Sequence, residues 1–445
     1  MDKYKNLDEL FTDKCQAFPD STLQTSAPDP SNGYKYHQLT FSDLSDLVDR
    51  LASSFVNKFD IEEGDRVAII GRPHPQWAAS FFAAFRVGAV AVPISYNFTS
   101  EEIRRVLNES EAKLAVVQSD KHSVVAEKFT QLAHLDNLVV YGGEAEEGFR
   151  TWGSYLTEER YTERAGVERK DTAVLMYTSG TTGHGKGVML SHENLLVNLS
   201  DIGEALDIGP DDSLVSILPW DHIYGLTTTL LVPFDTGASM VYTVDYRNLP
   251  KVLKKKGGTI LLGVPKLLNT LYEEIMTKIE SSWWKKLLYK FFPAVLQGSI
   301  KKKLAGEKFR FAVSGGAPLN PETGSGLREL GIGVMEGYGL TETSPVLTFT
   351  PDPFTDKTGT VGQALPSVEL RLRETDDKEI NEVLARGPNV MKGYYKNSQK
   401  TDEVLEPDGW FHTGDSGTMD EDDWLYLNGR MKNVIVLESG NNVYA

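Results

Sequence analysis

The sequence predicts an α/β protein in which two helix-covered, mostly parallel sheets precede a small β-barrel-like unit. Three observations lead there. Up to about residue 355, short apolar runs alternate with amphipathic helical periods, the pattern of parallel sheets covered on both faces. Beyond that point the helical period disappears, and VELRLRE, EINEVLARG and DDWLYLNGR read as short antiparallel strands. The length of 445 residues suits two or three packed units better than a single core.

The elements follow in order. FSDLSDLVDRLASSFVNKF (41–59) carries a helical period. RVAII (66–70), AVAVPI (89–94), LAVVQ (114–118) and LVVY (138–141) read as buried strands. The most apolar window, Trp77 to Ile94, is broken by Arg86, Gly88 and Pro93. It therefore predicts a helix followed by a buried strand rather than a membrane span. TSEEIRRVLNESE (99–111) predicts a helix capped by Thr99 or Ser100, with acids in its first turn. After GGEAEEG the rhythm resumes with TAVLMYTSG (172–180), LVSILP (214–219), SMVYTV (239–244), TILLGVP (259–265) and FRFAVSGG (309–316). The expected divisions are 1–170, 171–354, 355–428 and 429–445.

Composition narrows the function. A formal net charge of −17 runs against the basic stripe that nucleic acid requires, so no nucleic-acid partner is expected. Cys15 is the single cysteine, which excludes an internal disulfide framework and a Cys-based zinc site. No H-E-x-x-H pattern or G-x-S-x-G elbow occurs. The start, MDKYKNLDEL, is too charged for a secretory signal, and a cytoplasmic location is expected.

YTSGTTGHGKGV (177–188) carries the chemistry. From Gly180 it reads G-x-x-x-x-G-K, the P-loop pattern as far as Lys186, but Gly187 stands where a P-loop needs a hydroxyl for Mg²⁺. Glycines, hydroxyls and a lysine after the apolar stretch Ala173 to Tyr177 suit phosphate, and a helix is expected to follow at SHENLLVNL.

The loop resembles the Y-T-S-G-T-T-G-x-P-K-G-V hallmark of the adenylate-forming superfamily. It departs from it at Gly185, where the family usually has Pro, and that departure creates the P-loop spacing. LPWDHIYG (218–225), SGGAPL (314–319), GYGLTETSP (337–345), WFHTGD (410–415) and GRMKNVIVLESGNNVY (429–444) resemble further family motifs in the same order. The resemblance spans essentially the whole chain. In character it is nearest to long-chain fatty-acid–CoA ligases.

The resemblance implies a reaction. A carboxylate oxygen attacks the α-phosphate of ATP, forming acyl-AMP and releasing pyrophosphate; a thiol, coenzyme A, then displaces AMP. It also implies roles. Thr178, Ser179, Gly180, Thr181, Thr182, Gly183 and Lys186 would hold the β/γ-phosphates, with Thr181 and Lys186 acting in catalysis. Gly315, Gly316 and Ala317 would form the adenine-side loop. Tyr338 would stack on adenine beside Gly339, Thr341 would bond the α-phosphate, and Glu342 would hold Mg²⁺. Asp415 would accept both ribose hydroxyls, supported by Arg430. His222 and Gly337 would line the acyl pocket, with Asp221 the alternative as a partner for an amino acid's α-amine. Lys432 would be the pivot of a hinge. In the family a domain of roughly a hundred residues follows that hinge; the sequence ends at Ala445, so that domain is expected to be absent and turnover much reduced.

The acid is suggested by residues 267–303. Leu267, Leu271, Ile275, Ile279 and Trp283 form an i, i+4 ladder. In WWKKLLYKFF (283–292), at ~100° per residue, Trp283, Trp284, Leu287, Leu288, Phe291 and Phe292 share one half of the wheel and Lys285, Lys286 and Lys290 the other. KKK follows at 301–303. Such a segment either covers the protein or lies on an anionic membrane. Long-chain ligases carry an insertion of similar character here, which implies a medium- to long-chain fatty acid and peripheral contact at the inner membrane face. Three rivals remain: an acyl-AMP ligase loading a carrier protein, a nucleotide- and acyl-binding module with little turnover, and a P-loop NTPase releasing ADP.

Overall fold

Helix starts follow the caps written in the sequence. The helix Phe41–Phe59 opens on a capping box, Thr40 accepting from the Asp43 amide while Asp43 accepts from that of Thr40. Thr99 does the same for Ser100–Ser110, and Ser191 for His192–Leu206. The computed structural model of the chain describes residues 3–26, 37–143, 149–178, 185–243, 247, 249–291, 297, 300, 301, 306–374, 381–431, 434–436 and 442–444.

Three sheets organise most of the described residues, beside a two-stranded ribbon of Val434–Val436 and Asn442–Tyr444. The first has eight strands: from one edge, Gly393–Tyr394, Gly187–Ser191, Thr172–Tyr177, Val90–Ile94, Arg66–Ile70, Ala112–Gln118, Asn137–Tyr141 and Arg150–Thr151. The second has nine: Gln363–Ala364, Val346–Phe349, Gly333–Gly339, Phe311–Ser314, Ile260–Gly263, Ser213–Ser216, Ser239–Tyr242, Thr22–Ser26 and His37–Thr40. Their central strands pair in parallel, and both sheets carry antiparallel strands at the edges. The third is a four-stranded antiparallel sheet of Glu369–Glu374, Asn381–Arg386, Phe411–Met419 and Leu425–Arg430.

Sheet pairing runs across residue 170 in both directions. Thr172–Tyr177 joins the strands before it through Ala91↔Val174, while Thr22–Ser26 pairs far downstream through Gln24↔Met240.

The helix expected at SHENLLVNL is present as His192–Leu206, capped by Ser191. The strand before it was not expected from the sequence: Gly187–Ser191 runs antiparallel to Thr172–Tyr177, with Tyr177 facing Gly187. The apolar run Val188–Leu190 buries Val188 and Leu190 in the core, and a pattern that alternates burial favours a strand. The loop is therefore the turn of a hairpin, closed where the Thr178 amide donates to the Lys186 carbonyl at 3.1 Å.

The helix Pro75–Arg86 is buried from Trp77 to Arg86. Trp77 meets Trp220 edge-on at 5.2 Å and Phe82 meets Phe234 at 4.8 Å, so the helix is covered by residues of both halves. That explains its apolar circumference. Buried Arg86 is offset by ion pairs with Asp8 and Asp49.

The helix Trp283–Phe291 does the reverse. Trp283 is 78% exposed, Trp284 49%, Leu287 52% and Phe291 60%. The Tyr289 hydroxyl anchors its inner side, donating to Glu329 Oε2 at 3.2 Å. No helix among the described residues is long and apolar enough to cross a membrane.

Candidate active site

The adenine-side part of the expected site sits at the carboxyl ends of two neighbouring parallel strands, where open α/β sheets bind ligands. Phe311–Ser314 delivers Gly315, Gly316 and Ala317, and its parallel neighbour Gly333–Gly339 carries Gly337, Tyr338 and Gly339. Gly315 is buried under the Tyr224 ring, whose hydroxyl donates to the Gly263 carbonyl at 3.1 Å. A single 3₁₀ turn, Thr341–Thr343, then presents Thr341 and Glu342.

Asp415 arrives from the small sheet. The Tyr338 hydroxyl donates to its Oδ2 at 2.6 Å, and Arg430 Nε meets its Oδ1 at 2.9 Å. Arg430 is placed by register, directly opposite Asp415 on the adjoining strand, and its Nη1 also donates to the Thr413 carbonyl. Asp415 is buried, and loss of solvent pushes its pKa above the ordinary carboxylate value, against the lowering effects of Tyr338 and Arg430. The Tyr338 hydroxyl is raised as well, first by burial and then by Asp415. On the strand that carries Asp415, His412 lies between Glu382 and Glu406, at 3.0 and 2.9 Å.

The phosphate side comes from the first sheet. Thr178 and Lys186 flank the hairpin turn; Ser179, Gly180, Thr181, Thr182 and Gly183 lie outside the described residues, as does Lys432. Gly185 is where backbones meet: a Cβ there would stand 2.2 Å from the Thr178 carbonyl oxygen. His222 is exposed at the start of the short helix Ile223–Leu226. Its neighbour Asp221 is buried and accepts the Tyr96 amide on Oδ2 at 3.1 Å.

Tyr394 is the residue that sequence reasoning missed. Its hydroxyl donates to Glu342 Oε1 at 2.8 Å, and Lys186 Nζ lies 4.3 Å from its ring centroid. Its strand pairs with the hairpin's second arm, a relation between positions about 200 residues apart that no local spacing encodes. Among the described residues no cluster of three or more His, Cys, Asp or Glu could hold a metal. Glu342 offers one carboxylate with Oε1 engaged, which fits Mg²⁺, an ion bound through one or two carboxylates together with substrate phosphates.

Lys186 at the base of a glycine-rich loop, the Glu342 carboxylate and buried Asp415 suit an adenylate-forming enzyme, and the relatives of this chain give the class as acid–thiol ligase. The chain belongs to the AMP-binding enzyme family, which matches residues 11–395. The long-chain-fatty-acid–CoA ligase FadD15 of Mycobacterium bovis is 33% identical over 430 residues, covering 88% of this chain and 70% of that protein. The long-chain-fatty-acid–CoA ligase of Salmonella typhimurium is 28% identical over 491 residues, covering 100% and 80%. Among solved structures, the anthranilate CoA ligase AuaEII in complex with anthranoyl-AMP superposes with a TM-score of 0.85 at 21% identity, covering 100% of this chain and 81% of that one. That likeness supports the fold.

Proposed function

We propose that the protein activates a medium- to long-chain fatty acid with ATP and transfers the acyl group to coenzyme A. The observation that carries this reading is the convergence of Lys186, Glu342 and Asp415, from three sheets, on the carboxyl ends of Phe311–Ser314 and Gly333–Gly339. The acid contributes a carboxylate oxygen to the α-phosphorus, the bond to the β-phosphate oxygen breaks, and pyrophosphate leaves. The thiol sulfur then attacks the acyl carbon and AMP departs.

The chain's part is positioning and charge stabilisation. Thr178, Lys186 and the loop 179–183 hold the β/γ-phosphates. Thr341 bonds the α-phosphate, Tyr338 covers adenine, and Asp415 with Arg430 holds the ribose. Gly337 and His222 border the acyl end. Bound at Glu342, Mg²⁺ supplies neutralisation of polyphosphate charge. A fatty substrate is favoured by the curated relatives and by the outward apolar face of Trp283–Phe291, flanked by Lys286 and Lys290. That face suits contact with an anionic membrane by a cytoplasmic enzyme.

Nucleotide products test the reading. Incubated with ATP, palmitate and coenzyme A, the protein is expected to release AMP and pyrophosphate, with Glu342→Gln lowering the rate at least ~10²-fold as a charged stabiliser is lost. Release of ADP and phosphate would sink it, and an acyl group accepted by a carrier protein but not by coenzyme A would replace its second half.

A further inference from the structure

We infer that Tyr394 is a positioning residue for adenylation: its hydroxyl fixes the Glu342 carboxylate while its ring seats the Lys186 ammonium, holding two opposite charges apart. The inference rests on the ligase reading above.

Geometry comes first. Gly393 and Tyr394 form a short antiparallel pairing with Met189 and Val188, and the Tyr395 amide donates to the Gly187 carbonyl at 2.7 Å. Lys186 is two residues before Val188, so its side chain lies on the same face of that arm and diagonal to Tyr394. The ring is thus brought under Nζ by the same pairing that closes the phosphate hairpin. On the other side, the Met391 amide donates to the Glu342 carbonyl at 2.8 Å, which ties the 3₁₀ turn to the segment leading into Tyr394. Tyr394 is 4% exposed, and its ring has no solvent-side alternative.

Chemistry gives the arrangement a purpose. A lysine and a glutamate separated by one side chain in a half-buried site attract each other strongly. Direct pairing would occupy the oxygen a cation needs and the ammonium a polyphosphate needs. Among the described residues no ion pair joins Lys186 to Glu342. The ring attraction on Lys186 is weaker than an ion pair, so an incoming phosphate can draw the ammonium away. The hydroxyl donates to Oε1 and leaves Oε2 for a ligand.

Tyr394→Phe keeps the ring and removes the donor; Tyr394→Leu removes both. ATP binding by calorimetry across a Mg²⁺ titration is the readout, with melting temperature recorded alongside. Tyr394→Phe is expected to raise the Mg²⁺ concentration for half-maximal ATP binding about tenfold, as loss of a hydrogen bond to a charged group does. Tyr394→Leu is expected to weaken ATP binding further even without Mg²⁺. Because Tyr394 acts through Glu342, Tyr394→Phe/Glu342→Gln should bind no worse than Glu342→Gln alone. A wild-type Mg²⁺ dependence in Tyr394→Phe, or additive losses in the double variant, would overturn the inference. Should the wild type bind Mg²⁺-ATP yet release ADP, the ligase reading falls while the cycle still judges Tyr394. A wild type that binds no ATP overturns both.

Discussion

Across 77 positions of sequence, the hydroxyl of Tyr338 donates to the carboxylate of Asp415 at 2.6 Å. This bond joins the second sheet to the small antiparallel one. It places an aromatic face and a buried carboxylate on one wall.

Asp415→Asn is therefore expected to lower AMP affinity about 10- to 100-fold, the range for hydrogen bonds to a charged acceptor. Affinity should also depend on pH. Nucleotide hydroxyls favour the ionised carboxylate, so binding is full above the folded pKa and falls as pH drops through it. That pKa is raised from 3.8, so the decline starts at a higher pH than for an ordinary aspartate. Calorimetric titrations of AMP across the acidic range check both points; a flat profile in the wild type would contradict the second.

Gly185→Ala places a Cβ where the Thr178 carbonyl oxygen stands 2.2 Å away. The obstacle is backbone at the base of the hairpin and cannot rotate aside. Overpacking of this kind costs ~1–3 kcal/mol, and ATP affinity is expected to fall by about fivefold or more. Gly185→Pro, the residue usual in the family, should act in the same direction, since it too brings a Cβ. ATP affinity equal to the parent's in both variants would mean that the hairpin opens without cost.

Lys286→Glu/Lys290→Glu is expected to reduce partitioning onto anionic vesicles about thirtyfold or more, at ~1 kcal/mol for each basic residue near such a surface. Trp283→Ala/Phe291→Ala should reduce it as well. Both apolar side chains are mostly exposed, so neither double variant should lower the melting temperature appreciably. Sedimentation with vesicles, read beside a melting curve, tests the pair of expectations.

His192 predicts an acid-sensitive fold. Its Nδ1 accepts the Leu7 amide at 3.2 Å, and burial lowers its pKa from 6.5 to about 4, with Asp171 opposing. The folded state keeps the ring neutral, whereas the unfolded chain takes up a proton near pH 6.5. Stability from this group is thus present above 6.5 and lost as pH falls to about 4, by up to about 3 kcal/mol. Chemical denaturation at stepped pH should show the loss, and His192→Asn, which retains an acceptor for Leu7, should flatten it.

Much of the fold was legible because it rests on local rules. The helix Phe41–Phe59 has the bounds its period predicts, and Thr99 caps Ser100–Ser110 as its chemistry requires. The strands at 66–70 and 311–314 fall where apolar runs stand. The hairpin after Lys186 was less legible, because Gly-Val-Met-Leu before a helix cap reads equally as linker or strand until a partner is supplied. That partner is Thr172–Tyr177 on one side and Gly393–Tyr394 on the other. The site divides in the same way. Glu342 and Asp415 stand in motifs with their own spacing, whereas Tyr394 acquires its place only through sheet register. The outward face of Trp283–Phe291 was open to two readings, since a helical wheel gives the apolar side but not the direction it points.

The pairing of Thr22–Ser26 with Ser239–Tyr242 bears on how the chain is made. During synthesis the early strand leaves the ribosome long before its parallel neighbour exists. At about 5–20 residues per second, the intervening stretch takes roughly 10–40 s to emerge. Through that interval Thr22–Ser26 has only its antiparallel companion His37–Thr40 to pair with, and a two-stranded ribbon is too small to persist alone in water. The amino-terminal strand is thus first in translation but can take its place in the sheet only after Ser239–Tyr242 has emerged.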